Sequence, residues 1–321
     1  MSATINLEKK HFPVLLDELI KIISPRYSGT FLDCTFGQGG YSRAILDAAA
    51  TRVYGIDRDP TAIDFGAELI NEYPSRLTLI QGCFGNITKI MANAGISSVD
   101  GIMLDLGVSS PQIDDPGRGF SFRYDGPLDM RMENKGPTAA DFINDATEED
   151  IANVIYEYGD ERHSRRIARR IVEARKLKPI LSTSQLVNII HSNVRRSRDG
   201  IHPATRTFMA LRIQVNDELG ELDRALISAE RILKPGGRLA VVAFHSLEDK
   251  KIKSFLHERG GLAAKGSRHM PETNKINMAP SFNIVKRGVI KPSRSEVLSN
   301  PRSRSAKLRI AERTDAPVWL N

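Results

Sequence analysis

A chain of 321 residues can bury a sizeable core and has room for two domains. With 40% hydrophobic and 26% charged residues it has the composition of a soluble globular protein, and its longest apolar run, Leu239–Phe244, is far too short to span a bilayer. The net charge is +7; Cys34 and Cys83 are too few for a disulfide framework, and residues 1–12 lack the apolar stretch of a secretory signal, so a cytoplasmic protein without a membrane partner is expected.

From the N-terminus, His11–Ile23 reads as a short lead-in and an amphipathic helix ended by Ser24-Pro25. Phe31-Leu-Asp33 then runs into glycines at 37, 39 and 40 and a helix-forming stretch from Ser42 to Ala50, the pattern of strand, glycine turn and helix. Such a turn lets a ligand approach the backbone and aims free N–H groups at it. Dinucleotides and S-adenosylmethionine (AdoMet) are both held this way, and the spacing separates them. The dinucleotide fingerprint G-x-G-x-x-G/A asks for Gly or Ala where Ser42 stands, and has no use for an acid four residues before Gly37. Asp33-x-x-x-Gly37-x-Gly39 looks instead like the turn of an AdoMet methyltransferase.

Further strands follow at Arg52–Asp57, Leu77–Gln81 and Val99–Asp105, with helices from Thr61 to Tyr73 and from Asn86 onward. This alternation predicts a parallel sheet wound by right-handed crossovers, with its ligand outside the carboxyl ends of the strands. Asp33, Asp57 and Asp105 fall at those ends. Asp57, 20 residues past Gly37, is placed to accept both hydroxyls of a ribose. A single Asp there is as readily a helix cap, but three beside a glycine turn make a nucleoside site. Phe84, after the third strand, faces either an adenine ring or the core.

The rhythm then breaks. Val108–Lys135 is a long Gly-, Pro- and Ser-rich loop of the kind that is usually functional. Helices are predicted at Ala139–Asn144, Thr147–Tyr158, Arg162–Lys176 and Thr183–His191. Between Asp160 and Arg206 stand 12 Lys/Arg against 4 Asp/Glu, including Arg162, Arg165, Arg166, Arg169, Arg170 and the run Arg195–Arg198; between Val285 and Arg313 the count is 9 against 2. Two basic stretches on an otherwise acidic body are the footprint of a polyanion binder, although solvated helix faces give the same count. His163, His191, His202 and His245 stand too far apart for metal-ligand spacing, and no metal is expected.

After Pro203 the alternation resumes. Thr205–Leu233 is one helix or two joined, closed by Lys234-Pro-Gly-Gly237; Arg238–His245 is a buried fifth strand, and Ser246 is the expected N-cap of the next helix. A polar stretch from Gly260 to Pro280 precedes Ser281–Val285 and Lys307–Ile310, an antiparallel edge pair. The fold class is therefore α/β, a Rossmann-like class I AdoMet-dependent methyltransferase sheet with an inserted helical domain. Residues 1–112 and 205–321 form the cofactor-binding domain, and 113–204 a loop plus basic helices suited to substrate recognition.

Six long, ordered motifs carry a family resemblance: Asp105-Leu-Gly-Val-Ser-Ser-Pro-Gln112, Arg118-Gly-Phe-Ser-Phe122, Gly126–Met132, His202-Pro-Ala-Thr-Arg206, Phe244-His-Ser-Leu-Glu-Asp249 and Asn300–Ser305. From about His11 to Thr314 the chain resembles the RsmH (MraW) family of bacterial small-subunit rRNA cytosine-N4 methyltransferases. The resemblance implies AdoMet as methyl donor, and a cytidine of the decoding region as acceptor, in free small-subunit rRNA or the assembled subunit. It implies cofactor contacts at Gly39, Gly40, Tyr41, Asp57, Phe84, Asp105 and Gln112. Relatives usually carry His where this chain has Tyr41, which leaves a backbone contact there, and Met209 stands where Gln is common. The insertion and the basic C-terminal stretch become the implied RNA surface.

Cytosine's exocyclic amine is a weak nucleophile because its lone pair is delocalised into the ring. A hydrogen-bond acceptor that favours a pyramidal nitrogen would help, and many amino-methyltransferases supply one from an Asp/Asn/Ser-Pro-Pro-Tyr turn after the fourth strand. Here Asp105–Ser110 lacks the prolines and the aromatic residue, leaving a loop carbonyl or Ser109 as the candidate acceptor. His245 could take the proton after transfer, or be a structural histidine. Arg118, Phe120, Phe122 and Arg131 on the long loop are candidates for a target-base pocket or for loop stabilisation. The competing readings are an NAD-linked oxidoreductase, disfavoured by Ser42, and a non-catalytic RNA-binding protein on a relic fold.

Overall fold

The computed structural model describes residues 13–25, 28–192, 202–261 and 278–319. These divide into two compact units, Met1–Gly107 with Leu222–Asn321 and Val108–Glu221. The first unit opens with α1 (Leu16–Ile23), which buries Leu19 and Ile23, and continues through β1 (Thr30–Asp33), α2 (Gly40–Ala48) and β2 (Arg52–Asp57). The single helix expected from Thr61 to Tyr73 is two, α3 (Pro60–Phe65) and α4 (Ala67–Glu72). It breaks at Gly66 because the backbone there lies directly on the sheet. A Cβ at this position would stand 2.1 Å from Leu79 Cδ1 and 2.8 Å from the Phe36 ring. β3 (Leu77–Gln81), a 3-10 turn at Phe84–Asn86, α5 (Ile87–Asn93) and β4 (Val99–Asp105) follow as expected.

In the second unit the stretch read as loop contains α6 (Ser110–Asp114) and is knitted by its own backbone. Met130 N–H donates to the Arg118 carbonyl at 3.0 Å, and the Asn216 side chain bonds both the Met130 carbonyl and the Met132 amide at 2.8 Å. Then come α7 (Ala139–Asp145), α8 (Glu148–Gly159), α9 (Ser164–Arg175), α10 (Thr183–His191) and α11 (Pro203–Asn216). Ile151 and Ile155, Ile167 and Ile171, and Leu186 and Ile190 recur at helical spacing and, with Ile143, form its core. Ala204, Phe208 and Leu211 of α11 belong to that core too, so this helix falls in the helical unit and not with the sheet, as a break at 204/205 had implied. The basic run Arg195–Arg198 lies outside the described residues.

Asp217, in the left-handed region at φ 48°, separates α11 from α12 (Glu218–Ile232), so the long segment is two helices. The chain returns to the sheet in β5 (Leu233–Ala243), then α13 (Ser246–Arg259), β6 (Phe282–Ile284), α14 (Arg294–Ser299) and β7 (Lys307–Arg313). β5 begins five residues earlier than expected. Val99 pairs with Leu233 and Gly101 with Arg238, so Lys234-Pro-Gly-Gly237 is a bulge within the strand, not a turn before it.

The strand order is β3-β2-β1-β4-β5-β7-β6, with β7 antiparallel to both neighbours. This is the doubly wound sheet of class I AdoMet methyltransferases. Alternate residues feed two apolar layers. Leu32, Ile56 and Leu104 meet α5, α12 and α13, while Phe31, Val53 and Met103 meet α1 and α2. No described helix is long and apolar enough to cross a membrane.

Candidate active site

Asp33, Asp57 and Asp105 end three parallel strands that are neighbours or next-neighbours, at one edge of the sheet. The backbone leaving β1 is pinned to that edge at almost every step. Cys34 N–H donates to the Met103 carbonyl at 2.9 Å, Phe36 N–H to the Ile56 carbonyl at 3.0 Å, and Gly37 N–H to Asp57 Oδ2 at 2.8 Å. Thr35 links two strands: its N–H donates to Asp33 Oδ1 (3.3 Å) and its hydroxyl accepts from Asp105 N–H (2.7 Å). Ser42, which the sequence offered only as a misfit to the dinucleotide pattern, donates to Asp33 Oδ2 at 2.7 Å. Gly39 caps α2 at φ 75°. Helical geometry leaves the amides of Gly40, Tyr41 and Ser42 without intrahelical acceptors; Asp33 takes that of Ser42, and those of Gly40 and Tyr41 make an anion- or dipole-binding end.

Three carboxylates held this deeply are costly to ionise. Burial pushes Asp33 up to about 6, against the opposing hydrogen bonds from Ser42 and Thr35. Asp57 is also raised by burial, although its two oxygens accept the Asp59 and Gly37 amides. Asp105 lies well above the carboxylate range through burial, with the charges of Asp33 and Glu248 acting in the same direction. Its Oδ1 is buried without a hydrogen-bond partner. A buried unpaired acceptor costs about 1–3 kcal/mol, so this oxygen asks for a donor or cation from outside the chain. A sulfonium-bearing adenosine meets the donor set as a whole. Asp57 has lone pairs for ribose hydroxyls, and the acidic cluster gains from a positive charge.

Tyr41 resolves differently from a ligand-facing residue. Its side chain is 4% exposed, packs with α1, and donates its hydroxyl to the Val14 carbonyl. What it offers at the helix end is its backbone amide. Phe84 is half-buried after β3, against the layer formed by α5 and α12. His245, not Ser246, is the N-cap of α13. Its Nδ1 accepts from Glu248 N–H at a long 3.5 Å, and Glu248 Oε2 accepts the Phe244 and His245 amides at 2.8 and 3.2 Å. His245 Nε2 lies 3.1 Å from Glu248 Oε1, within ion-pair range, yet it is not aligned for a hydrogen bond and has no other partner. Glu248, 2% exposed, is a residue the sequence reading passed over; the His-x-x-Glu spacing of a capping box was its signal.

In the helical unit, Ser109 and Gln112 hold each other. Ser109 Oγ accepts the Gln112 amide (3.4 Å) and Gln112 Oε1 accepts the Ser109 amide (3.0 Å), a capping box at the start of α6. The Arg118 guanidinium donates to the carbonyls of Arg131 and Met132 at 3.1 and 2.9 Å, and Arg131 pairs with Asp129 at 2.7 Å. Phe122 packs on His202 and Phe208, with ring centroids 4.8 and 4.9 Å apart. Arg118, Arg131 and Phe122 thus make contacts that stabilise their own loop.

The profile of the MraW methylase family matches residues 8–314. "Ribosomal RNA small subunit methyltransferase H" of Paramagnetospirillum magneticum is 57% identical over 309 residues, covering 96% of this chain and 97% of that protein. The protein of the same name from Rhodospirillum rubrum is 53% identical over 312 residues, covering 96% of each. Among solved structures, an rRNA methylase from Streptococcus thermophilus aligns over 98% of this chain and 100% of its own, at 10% identity and a TM-score of 0.39, a likeness too slight to argue from. The match over nearly the whole chain, with more than half the residues identical, places it plainly: the protein belongs to the MraW methylase family.

Proposed function

We propose that the protein methylates the exocyclic N4 of a cytidine in the decoding region of small-subunit ribosomal RNA, with AdoMet as donor. The observation that carries the small-subunit rRNA part of this reading is the 53–57% identity, over 96% of the chain, to relatives named Ribosomal RNA small subunit methyltransferase H; the cytidine N4 rests on the motif resemblance. The acidic strand ends beside a glycine turn support the cofactor half. When bound, AdoMet supplies an electrophilic methyl group for in-line displacement, so alignment of the target nitrogen contributes much of the rate. In this reading Gly40 and Tyr41 bind through backbone amides, Gly39, whose own amide is held by the Phe36 carbonyl, lets the ligand close on the backbone, Asp57 accepts ribose hydroxyls, Phe84 covers the adenine, and Asp105 and Gln112 complete the contacts. The helical unit, with exposed Arg162 just before α9 and exposed Arg165 and Arg166 on it, receives the RNA. Cytoplasmic location follows from such a substrate.

Two groups remain for the amine: Ser109 as hydrogen-bond acceptor, and His245 as proton acceptor, for which the long 3.5 Å cap bond from the Glu248 amide to Nδ1 must give way so that the neutral ring carries its proton on Nδ1 and offers the lone pair of Nε2. His245→Asn separates capping from proton transfer, because Asn caps a helix well and cannot take the proton. We expect its single-turnover rate to fall more than tenfold with thermal stability unchanged; a rate within threefold of wild type (under ~1 kcal/mol) would remove His245 from the chemistry. The function as a whole is tested by tritium transfer from labelled AdoMet to unmodified small-subunit rRNA and to assembled subunits, followed by mapping of the methylated nucleotide. No transfer to either would return the non-catalytic reading, and titration with AdoMet and NAD separates the oxidoreductase.

A further inference from the structure

One face of the first unit holds a cavity of about 410 Å3, between the C-terminal half of α13 and the β6–β7 edge. That size is within the ~300–1,000 Å3 of ordinary ligand pockets. Buried Leu256 and Ile310 and half-buried Ile284 give it an apolar wall, and exposed Lys253, Lys286 and Arg287 give it a cationic one. Among the described residues, no carboxylate comes within 4.0 Å of those three cations. The fourth cation, Arg309, is neutralised by Asp249, to which its Nε donates at 2.6 Å. The neighbouring Lys251 is likewise paired with Asp223, and Lys307 with Asp249. Cations beside the pocket are thus paired with carboxylates, while the three on its wall are left unmatched.

An apolar wall facing unmatched positive charge selects a ligand with one flat, weakly hydrated side and one anionic side. A nucleotide in a single strand has this character, with base and ribose on one side and phosphate on the other. The position suits a flanking nucleotide. Lys253 and His257 lie eight and twelve residues beyond His245 on α13, hence roughly 12–18 Å along the helix from the sheet edge that carries the acidic site. We infer that this cavity holds a nucleotide of the RNA substrate to one side of the target base, with Lys253, Lys286 and Arg287 on its phosphates. The inference rests on the proposed action on RNA; it gives the basic C-terminal stretch, implied above only by resemblance, a defined pocket on the sheet unit and a nucleotide as its occupant.

The test compares Lys286→Gln/Arg287→Gln, and Lys253→Gln on the other element, with Arg52→Gln/Lys89→Gln, exposed positions on the same unit whose double loss changes net charge equally. Affinity for a small-subunit rRNA fragment is measured against salt, with AdoMet affinity as the control for folding. The pocket double variant is expected to weaken RNA binding at least tenfold and to flatten the log–log salt dependence by about 1.4, at about 0.7 per lost phosphate contact on single strands. AdoMet binding and the rate at saturating RNA stay within twofold, and the Arg52/Lys89 variant loses less than threefold. Equal losses in both double variants, or none in either, overturn the pocket while wild-type methylation of RNA still stands. Competition by polyglutamate but not by oligouridylate would assign the pocket to an acidic protein and overturn it too. Absence of RNA methylation by the wild type defeats the underlying function instead.

Discussion

At the scale of single residues, the site is defined by charge held where charge is expensive. Asp33 is 1% exposed, and burial moves it from an ordinary 3.8 to about 6. For an acid raised on folding, the contribution to stability is fully present below the unfolded value and disappears as pH rises through the folded one. The ligand-free protein therefore loses up to about 3 kcal/mol from this group between pH 4 and pH 7. Asp33→Asn should remove that dependence and raise the melting temperature at pH 8, because the amide can still accept from Thr35 and meet Ser42. The same variant should bind AdoMet more weakly, since it removes a negative charge from a site for a sulfonium. In the wild type the bound cation favours ionised Asp33, so affinity should rise with pH through about 6 and binding should release a proton. Calorimetry at pH 6 in two buffers of different ionisation enthalpy reads that proton; identical heats would show that Asp33 does not titrate on binding.

At the scale of elements, the turn after β1 works because a ring fills the space beneath it. Gly39 sits at φ 75°, and a Cβ there would stand 2.7 Å from Phe36 Cζ and 2.8 Å from Leu69 Cδ2. Gly39→Ala should cost about 2–4 kcal/mol, the left-handed strain of about 1–2 kcal/mol plus displacement of the ring, and lower AdoMet affinity by more than tenfold. Gly95 has the same φ of 75° with no atom within 4 Å of its Cβ position, so Gly95→Ala carries the strain alone and should leave AdoMet binding intact. The glycines and the strand-end aspartates were legible because their spacing along the chain is local. Phe36 beneath Gly39 and Gly66, and Thr35 between Asp33 and Asp105, were not, because they depend on which strands become neighbours. The bulge at Lys234–Gly237 was misread as a turn for the same reason: Pro-Gly-Gly ends an isolated element, and only the pairing of Val99 with Leu233 shows the strand continuing through it. His245 as the cap escaped notice because Ser246 is the commoner capping residue.

At the scale of the molecule, one chain builds separate apolar cores in its two units. The helical core and the two layers of the sheet share no residue, and α11 joins the helical one through Phe208 and Leu211. Periodicity revealed that α11 is a helix but could not say which core its apolar stripe would enter, which is why the break expected at 204/205 lies at 221/222. If AdoMet binding belongs to the sheet unit and RNA binding largely to the helical one, damage to either core should be felt by one ligand first. Leu186 is fully buried in the helical core, and Gln112 is not part of that core. Leu186→Ala should destabilise the helical unit by about 2–5 kcal/mol through lost burial and a residual cavity. Its RNA affinity and kcat/KM should fall while AdoMet affinity holds within twofold. Leu226→Ala, fully buried in the sheet unit, should do the reverse and weaken AdoMet binding at temperatures where the RNA surface persists. Titration of both ligands over a temperature series separates these outcomes. Parallel loss of AdoMet and RNA binding in Leu186→Ala would mean that the two cores unfold as one and that the functions are not divided between them.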